Sequence, residues 1–267
     1  MRDISKKVKN LFLVKAEKDQ KVPGDFDLVE MPIEGVVAYW LSVKKILESK
    51  KNGDFLEQEI KNTTEPYIRY LLELLNSSLE PEQIAKFAII KKNTLLKDLQ
   101  RKLILMAISI LGMSTNENPQ KVLVRIISKF PISPIYEKQV FEAAQTIVNN
   151  LDSEDLNKNK FFNVDHRLKI ESLIINLITY NMLARRKDRQ ELSNYLPYIR
   201  SFYFAEGLTL IMDGFDYDFI KHRLNSQKKE ILELTETKMD LSADLCVGIK
   251  SNIAYADLHT IAKSYLL

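Results

Sequence analysis

Residues 103–111 read LILMAISIL, and a helix made of them is apolar on every side. They lie inside Leu95–Met113, the longest unbroken helical pattern in the first half of the chain. A helix of this kind has no face to give to water and must be wrapped by other elements. The apolar run itself, Leu103–Met113, is eleven residues long and follows Arg101 and Lys102. A helix that spans a bilayer needs ~20. The segment is therefore expected at the centre of a bundle, not in a membrane.

Turn chemistry limits what can wrap it. All-β folds are rich in turns, and turns draw on Gly and Pro. Only 7 Gly and 8 Pro occur in 267 residues, while Leu, Ile, Lys and Glu dominate. These are helix formers. The expected fold class is all-α, a multi-helix soluble bundle that can divide into two helical subdomains.

Periodicity places the elements. Residues 1–32 form an N-terminal extension in which Lys6, Lys7, Lys9 and Lys15 surround an apolar patch, Leu11–Val14. A helical domain is expected over 33–150. Its first helix starts near Glu34 and closes at Lys50–Asp54. Thr64 is expected to cap the next, which runs through Tyr67–Leu75. Pro81–Ile90, Leu95–Met113, Gln120–Lys129 and Ile135–Asn150 follow, with Gly112 at the close of the second of these. Residues 151–165, LDSEDLNKNKFFNVD, are polar and aperiodic and read as a linker or exposed loop. A second helical domain, 166–267, is expected to hold helices over His166–Arg186, Arg189–Gly207, Asp216–Lys238 and Ser242–Leu267, with Ser242 as a cap.

Little in the chain suggests chemistry. The single cysteine, Cys246, excludes an internal disulfide. It lies in the apolar run LCVGI and is expected to be buried. Three histidines far apart make a structural zinc site unexpected. His222 is expected to be exposed, and His166 and His259 to be caps or half-buried. There is no phosphate loop, nucleophile elbow, dinucleotide-binding glycine pattern or carboxylate pair. No catalytic residue, cofactor, metal or small-molecule substrate is expected, and the chain is not expected to be an enzyme. Leu11–Val14 is too short for a signal core. The expected location is cytoplasmic, with a peripheral place at the inner membrane left open.

Two stretches remain to be explained. In EGLTLIMDGFDYDFIKHRL (206–224), Asp213, Asp216 and Asp218 lack the ligand spacing of a calcium loop. The pattern instead predicts a helix–turn–helix corner. A helix ends at Met212-Asp213, and Gly214 takes a positive φ. Asp216 then caps the next helix, whose Phe219, Ile220 and Leu224 face the core. Gly207 lies within the first helix and is expected to permit the close approach of another backbone or a kink. The other stretch, Ala184-Arg185-Arg186-Lys187-Asp188-Arg189, is the densest basic patch. It suits either the C-terminal turn of a helix or the binding of an acidic partner or phosphate.

Together these stretches resemble the cytoplasmic part of the MotA family, the proton-channel stator subunit of the bacterial flagellar motor. That family ends a helix in Ala-Arg-Arg, adds a second helix, and turns at Gly-Leu-x-Leu-x-x-Asp-Gly. The matching residues here are Ala184-Arg185-Arg186, Gly207-Leu208, Leu210, Asp213-Gly214 and Ile220. The resemblance spans about residues 170–240. It implies that Arg185 or Arg186 occupies the position of an arginine that contacts the rotor. The rotor-contacting glutamate would fall near Ser193, and the nearest acid is Glu191. The family's four membrane helices have no counterpart, so the resemblance does not extend to a proton channel.

The expected function is therefore a non-catalytic scaffold or adaptor of the flagellar motor. It would bind stator or rotor-proximal proteins through Arg185, Arg186, Arg189 and Glu191, with Gly207, Asp213, Gly214 and Asp216 forming the corner behind them. The alternative is a nucleic-acid-associated helical protein of plasmid or chromosome maintenance, suggested by the basic N-terminus and the 185–189 patch. A net charge of +3 gives it little weight.

Overall fold

The computed structural model describes residues 26–49, 54–151, 153 and 156–266. The lysines and apolar patch expected to characterise the N-terminal extension, and the Lys50–Gly53 helix stop, lie outside the described residues. Among the described residues the chain is all-α, with no strand. No helix among them is long and apolar enough to cross a membrane.

The helices are α1 (Ile33–Glu48), α2 (Phe55–Asn62), α3 (Pro66–Leu75), α4 (Pro81–Ser114), α5 (Pro119–Ile127) and α6 (Glu137–Asn149). After them come α7 (Lys158–Phe161), α8 (Ile170–Ala184), a 3-10 helix (Arg189–Tyr198), α9 (Phe202–Met212), α10 (Tyr217–Lys250) and α11 (Tyr255–Lys263). The chain divides into two compact units. One is Leu99–Lys229; the other joins the described residues up to Asp98 with Glu230–Leu267. The long helices α4 and α10 each contribute to both.

These units do not follow the split expected at 151–165. From Phe161 onward that stretch is built into the first unit. Phe161, Phe162 and Val164 are buried. Asn176 of α8 donates to Lys160 O and Asn163 O, Tyr180 Oη to Phe162 O, and Ser201 N to Val164 O. The Phe162 ring packs edge-on to Tyr180 and lies against Tyr195, and Tyr180 in turn meets Phe204. Composition hid this because two aromatic residues are enough to seat a polar segment.

The first unit is organised around α8. Leu173–Leu183 are all buried, so α8 is enclosed on all sides, with Asn176, Thr179 and Asn181 as its buried polar residues. It packs on α5, α6 and the 3-10 helix. Its buried Asn181 donates to Ser109 Oγ of α4 at 2.7 Å and to Leu177 O at 2.9 Å. The second unit gathers Trp40, Tyr67, Ile68, Leu71, Leu72 and Cys246 into one core. Leu28 joins it: its N–H donates to Glu65 Oε2 at 3.2 Å, and its carbonyl accepts from Lys238 Nζ at 2.9 Å. The end of the expected surface extension is thus anchored.

Several helix boundaries differ from expectation. Pro81–Ser114 is one helix of 34 residues, not two. The expected break holds neither Gly nor Pro, and Thr94 Oγ1 donates back to Ile90 O within the helix. Ser242 does the same to Lys238 O, so it lies inside α10 and starts no helix. Glu65, not Thr64, caps α3, accepting from Tyr67 N. Gly112 lies within α4. The positive-φ residue after it is Asn116, where Glu117 N bonds to Gly112 O. Asp165 Oδ1 accepts from Arg167 N, a turn that delays α8 to Ile170. Arg189–Gly207 is not one helix: Pro197 falls inside the 3-10 turn, and Ser201 caps a new helix. Phe55–Asn62 is a helix the periodicity did not mark.

Candidate functional site

The basic stretch begins where α8 runs out. Arg185 is its C-cap, and Arg186 N and Lys187 N both bond to Leu183 O. The next residues run across the ends of other helices. Arg186 Nη1 donates to the side chain of Asn149, the last residue of α6, at 3.0 Å. Arg189 Nη2 reaches the carbonyl of Ser114, the last residue of α4, at 3.4 Å. Gln190 Nε2 donates to the carbonyl of Met212, the last residue of α9, at 3.0 Å. The C-terminal ends of four helices therefore meet this one stretch.

Each helix C-terminus carries unsatisfied carbonyls and about half a negative charge. Several such ends together attract cations, and this accounts physically for the density of Arg and Lys at 185–189. Lys187 Nζ pairs with Glu191 Oε2 at 2.9 Å, and that hydrogen bond holds the Glu191 carboxyl below its ordinary range. Among the described residues Arg185 is exposed and reaches no acceptor.

The corner forms beside this stretch. Gly214 has φ +80°, the only glycine with positive φ among the described residues. Gly214 N bonds to Ile211 O and Phe215 N to Leu210 O. These paired bonds end a helix through a left-handed residue, as the Asp-Gly pattern predicts. Asp216 Oδ1 accepts from Phe219 N at 2.9 Å and caps α10, with Asp218 in its first turn. Behind the bend, Glu206 of α9 accepts from Arg223 Nε at 2.7 Å and also from Gln227, tying α9 to α10. Gly207 is a point of close approach, but to a side chain and not to the backbone expected there: a Cβ would lie 2.3 Å from Ile110 Cδ1 of α4.

No family model, curated protein or solved structure matches the chain.

The structure brings Arg185, Arg186, Arg189 and Glu191 to one end of the unit, with Asp213, Gly214 and Asp216 alongside them. Gly207 lies mid-way along α9, about 9 Å behind the corner. One expectation at the corner is corrected. Ile220 and Leu224 are buried, but Phe219 is 45% exposed and lies flat on Phe215, itself 43% exposed, at 4.5 Å between ring centroids. The helix turns only part of its first-turn apolar residues inward because Phe219 finds its partner in the turn. This exposed ring pair was missed in the sequence, where period-3.6 spacing alone assigns Phe219 to the core. Its signal was the four-residue separation of two Phe around a helix cap. His222 is exposed and His166 half-buried, as expected. His259 is exposed on α11, neither a cap nor half-buried.

Proposed function

We propose that the chain is a non-catalytic scaffold or adaptor whose docking surface is the α9–α10 elbow with the adjoining 185–191 stretch, and that its partners are proteins of the bacterial flagellar motor. One observation carries this reading most: the 3.0 Å bond from Gln190 to Met212 O. It sets the Ala-Arg-Arg segment and the Asp-Gly corner, the two parts of the stator-like pattern, against each other at one end of one unit. The stacked, exposed Phe215–Phe219 pair of the corner and the exposed Arg185 of the adjoining stretch offer a partner an apolar anchor and a charge. Exposed aromatic residues and arginines are the types that dominate binding energy in protein interfaces.

The reading is tested in the source organism. Crosslinks from the tagged chain to stator or rotor-proximal proteins are expected, and swimming is expected to fail when the gene is deleted. Phe215→Ala with Phe219→Ala is expected to remove the crosslinks, as is Arg185→Glu with Arg186→Glu, in each case without loss of helical circular dichroism. Normal swimming and an intact motor after deletion would refute the motor assignment.

A further inference from the structure

The two most exposed large apolar side chains among the described residues lie away from the Asp-Gly corner: Ile132 is 84% exposed and Tyr136 78%, and Val124, close to them in sequence, is 56% exposed. All three belong to residues 119–136, PQKVLVRIISKFPISPIY, which carry Lys121, Arg125 and Lys129 and no carboxylate. Val124 is on α5, one turn after Lys121. Residues 128–136 form an irregular tip that leads to α6.

The tip is held by its own local bonds. Lys129 N and Phe130 N bond back to Ile126 O and Ile127 O, and Ser133 Oγ donates to Ile135 O. Pro131 and Pro134 have no N–H to satisfy and fix φ, which lowers the entropy lost on docking. Arg101 sits over the half-buried Phe130 ring at 5.4 Å and adds a cation to the base of the tip. Of the flanking carboxylates, Glu117 is bound by Arg125 at 2.6 Å and Glu142 faces Lys138 at 3.9 Å; Glu137 is exposed.

Singly exposed apolar residues need no explanation. A run of them on a tip tied by its own turn bonds, rimmed by cations and with one exposed carboxylate, Glu137, only at its far end, marks an interaction surface. We propose that this surface contacts an anionic lipid bilayer. Ile132 and Tyr136 enter the boundary between headgroups and acyl chains, where tyrosine is favoured. Lys121 and Lys129 lie among the lipid phosphates, where each cation strengthens binding about fivefold. The inference does not depend on the elbow: the tip precedes the first turn of α6, and the 185–190 stretch meets its last residue, about 20 Å away along a 13-residue helix.

The test uses the full chain with phosphatidylcholine vesicles, with and without phosphatidylglycerol. Salt-sensitive binding is expected, at least about tenfold stronger to the anionic vesicles. Ile132→Asp with Tyr136→Asp is expected to abolish it. Lys121→Glu with Lys129→Glu is expected to weaken it by roughly 25-fold or more. All four side chains are exposed, so circular dichroism should be unchanged. Cys246 is fully buried, with its thiol pushed up to about 12 by burial, so an environment-sensitive dye on I132C labels the tip alone. A blue shift on adding anionic vesicles supports insertion. Absent binding, equal binding to both vesicle types, or an unshifted dye overturns the proposal. Binding of the tip to an acidic protein while it ignores lipid would overturn it equally.

Discussion

Alanine at position 207 tests the packing behind the elbow, because two principles predict opposite signs there. Within a helix, Ala is favoured over Gly by ~1 kcal/mol. Here the new Cβ would lie 2.3 Å from Ile110 Cδ1, and 3.1 and 3.2 Å from Cγ1 and Cγ2. Ordinary carbon contacts are about 3.5–4.0 Å, so the overlap with Cδ1 exceeds an ångström. Ile110 is fully buried and has nowhere to retreat. Overpacking of this kind costs ~1–3 kcal/mol, which leaves Gly207→Ala about 1 kcal/mol less stable than the parent. Ile110→Val deletes Cδ1 and alone costs ~1 kcal/mol. In the double variant the new methyl occupies the space Cδ1 vacates, so stability should return near the parent value. The coupling is then about 2 kcal/mol, well above the ~0.5 kcal/mol scatter of independent sites. Urea titrations of the four proteins, followed by circular dichroism at constant m, read it out. A more stable Gly207→Ala, or effects that add, would refute the close approach.

Further outcomes follow from the same geometry. Gly214→Ala meets nothing within 4 Å but inherits φ +80°, so it should lose ~1–2 kcal/mol from backbone strain alone, and Gly214→Asn clearly less. Burial raises the phenols of Tyr39, Tyr67, Tyr180, Tyr203 and Tyr265, with neighbouring carboxylates adding to it at Tyr39, Tyr67 and Tyr265. The folded chain then holds more protons than the unfolded one above pH ~10. This stabilisation is complete below that pH and is lost as pH rises, so alkaline unfolding and tyrosinate absorbance should appear together; a gradual ionisation preceding unfolding would contradict it. Burial lowers Lys238, with Asp27 and Glu30 partly restoring it. Its own contribution has the opposite sign, with stability rising as pH climbs from its folded value toward ~10.5, and Lys238→Met should remove that rise. Cys246 should resist thiol reagents until the second unit unfolds, and reaction at the native rate of an exposed thiol would contradict its burial.

The sequence revealed most where the controlling physics is local. Asp213-Gly214-x-Asp216 states its own geometry because a left-handed stop and a side-chain cap are each completed within a few residues. The all-apolar run at 103–111 likewise required burial in any helical fold. Continuity was harder to read. Lys-Lys-Asn-Thr at 91–94 and Ser242 look like boundaries, yet Thr94 and Ser242 donate to carbonyls four residues back and leave their helices unbroken. The reach of Arg186, Arg189 and Gln190 to the ends of α6, α4 and α9 was not legible at all, because the partners lie 22 to 75 residues away. The same holds for the seating of Phe162 on Tyr180 and Tyr195.

That convergence changes what the arginines can be asked to do. A cation over a helix end is worth ~0.3–1 kcal/mol where it is exposed, and it is screened by salt. Arg186 and Arg189 can therefore release their acceptors to a partner at small cost, and their charge reversal acts on fold and on docking together. Arg185 has no such acceptor, so Arg185→Glu alone should leave stability within about 0.5 kcal/mol of the parent while still repelling an acidic partner. If Arg185→Glu binds motor proteins normally and Arg186→Glu does not, with a matching loss of stability, the patch is a set of helix caps and docking falls to Phe215 and Phe219. Vesicle binding through the 128–136 tip should be indifferent to all of these changes, because they lie at the other end of α6. A loss there as well would mean that the unit as a whole had been disturbed.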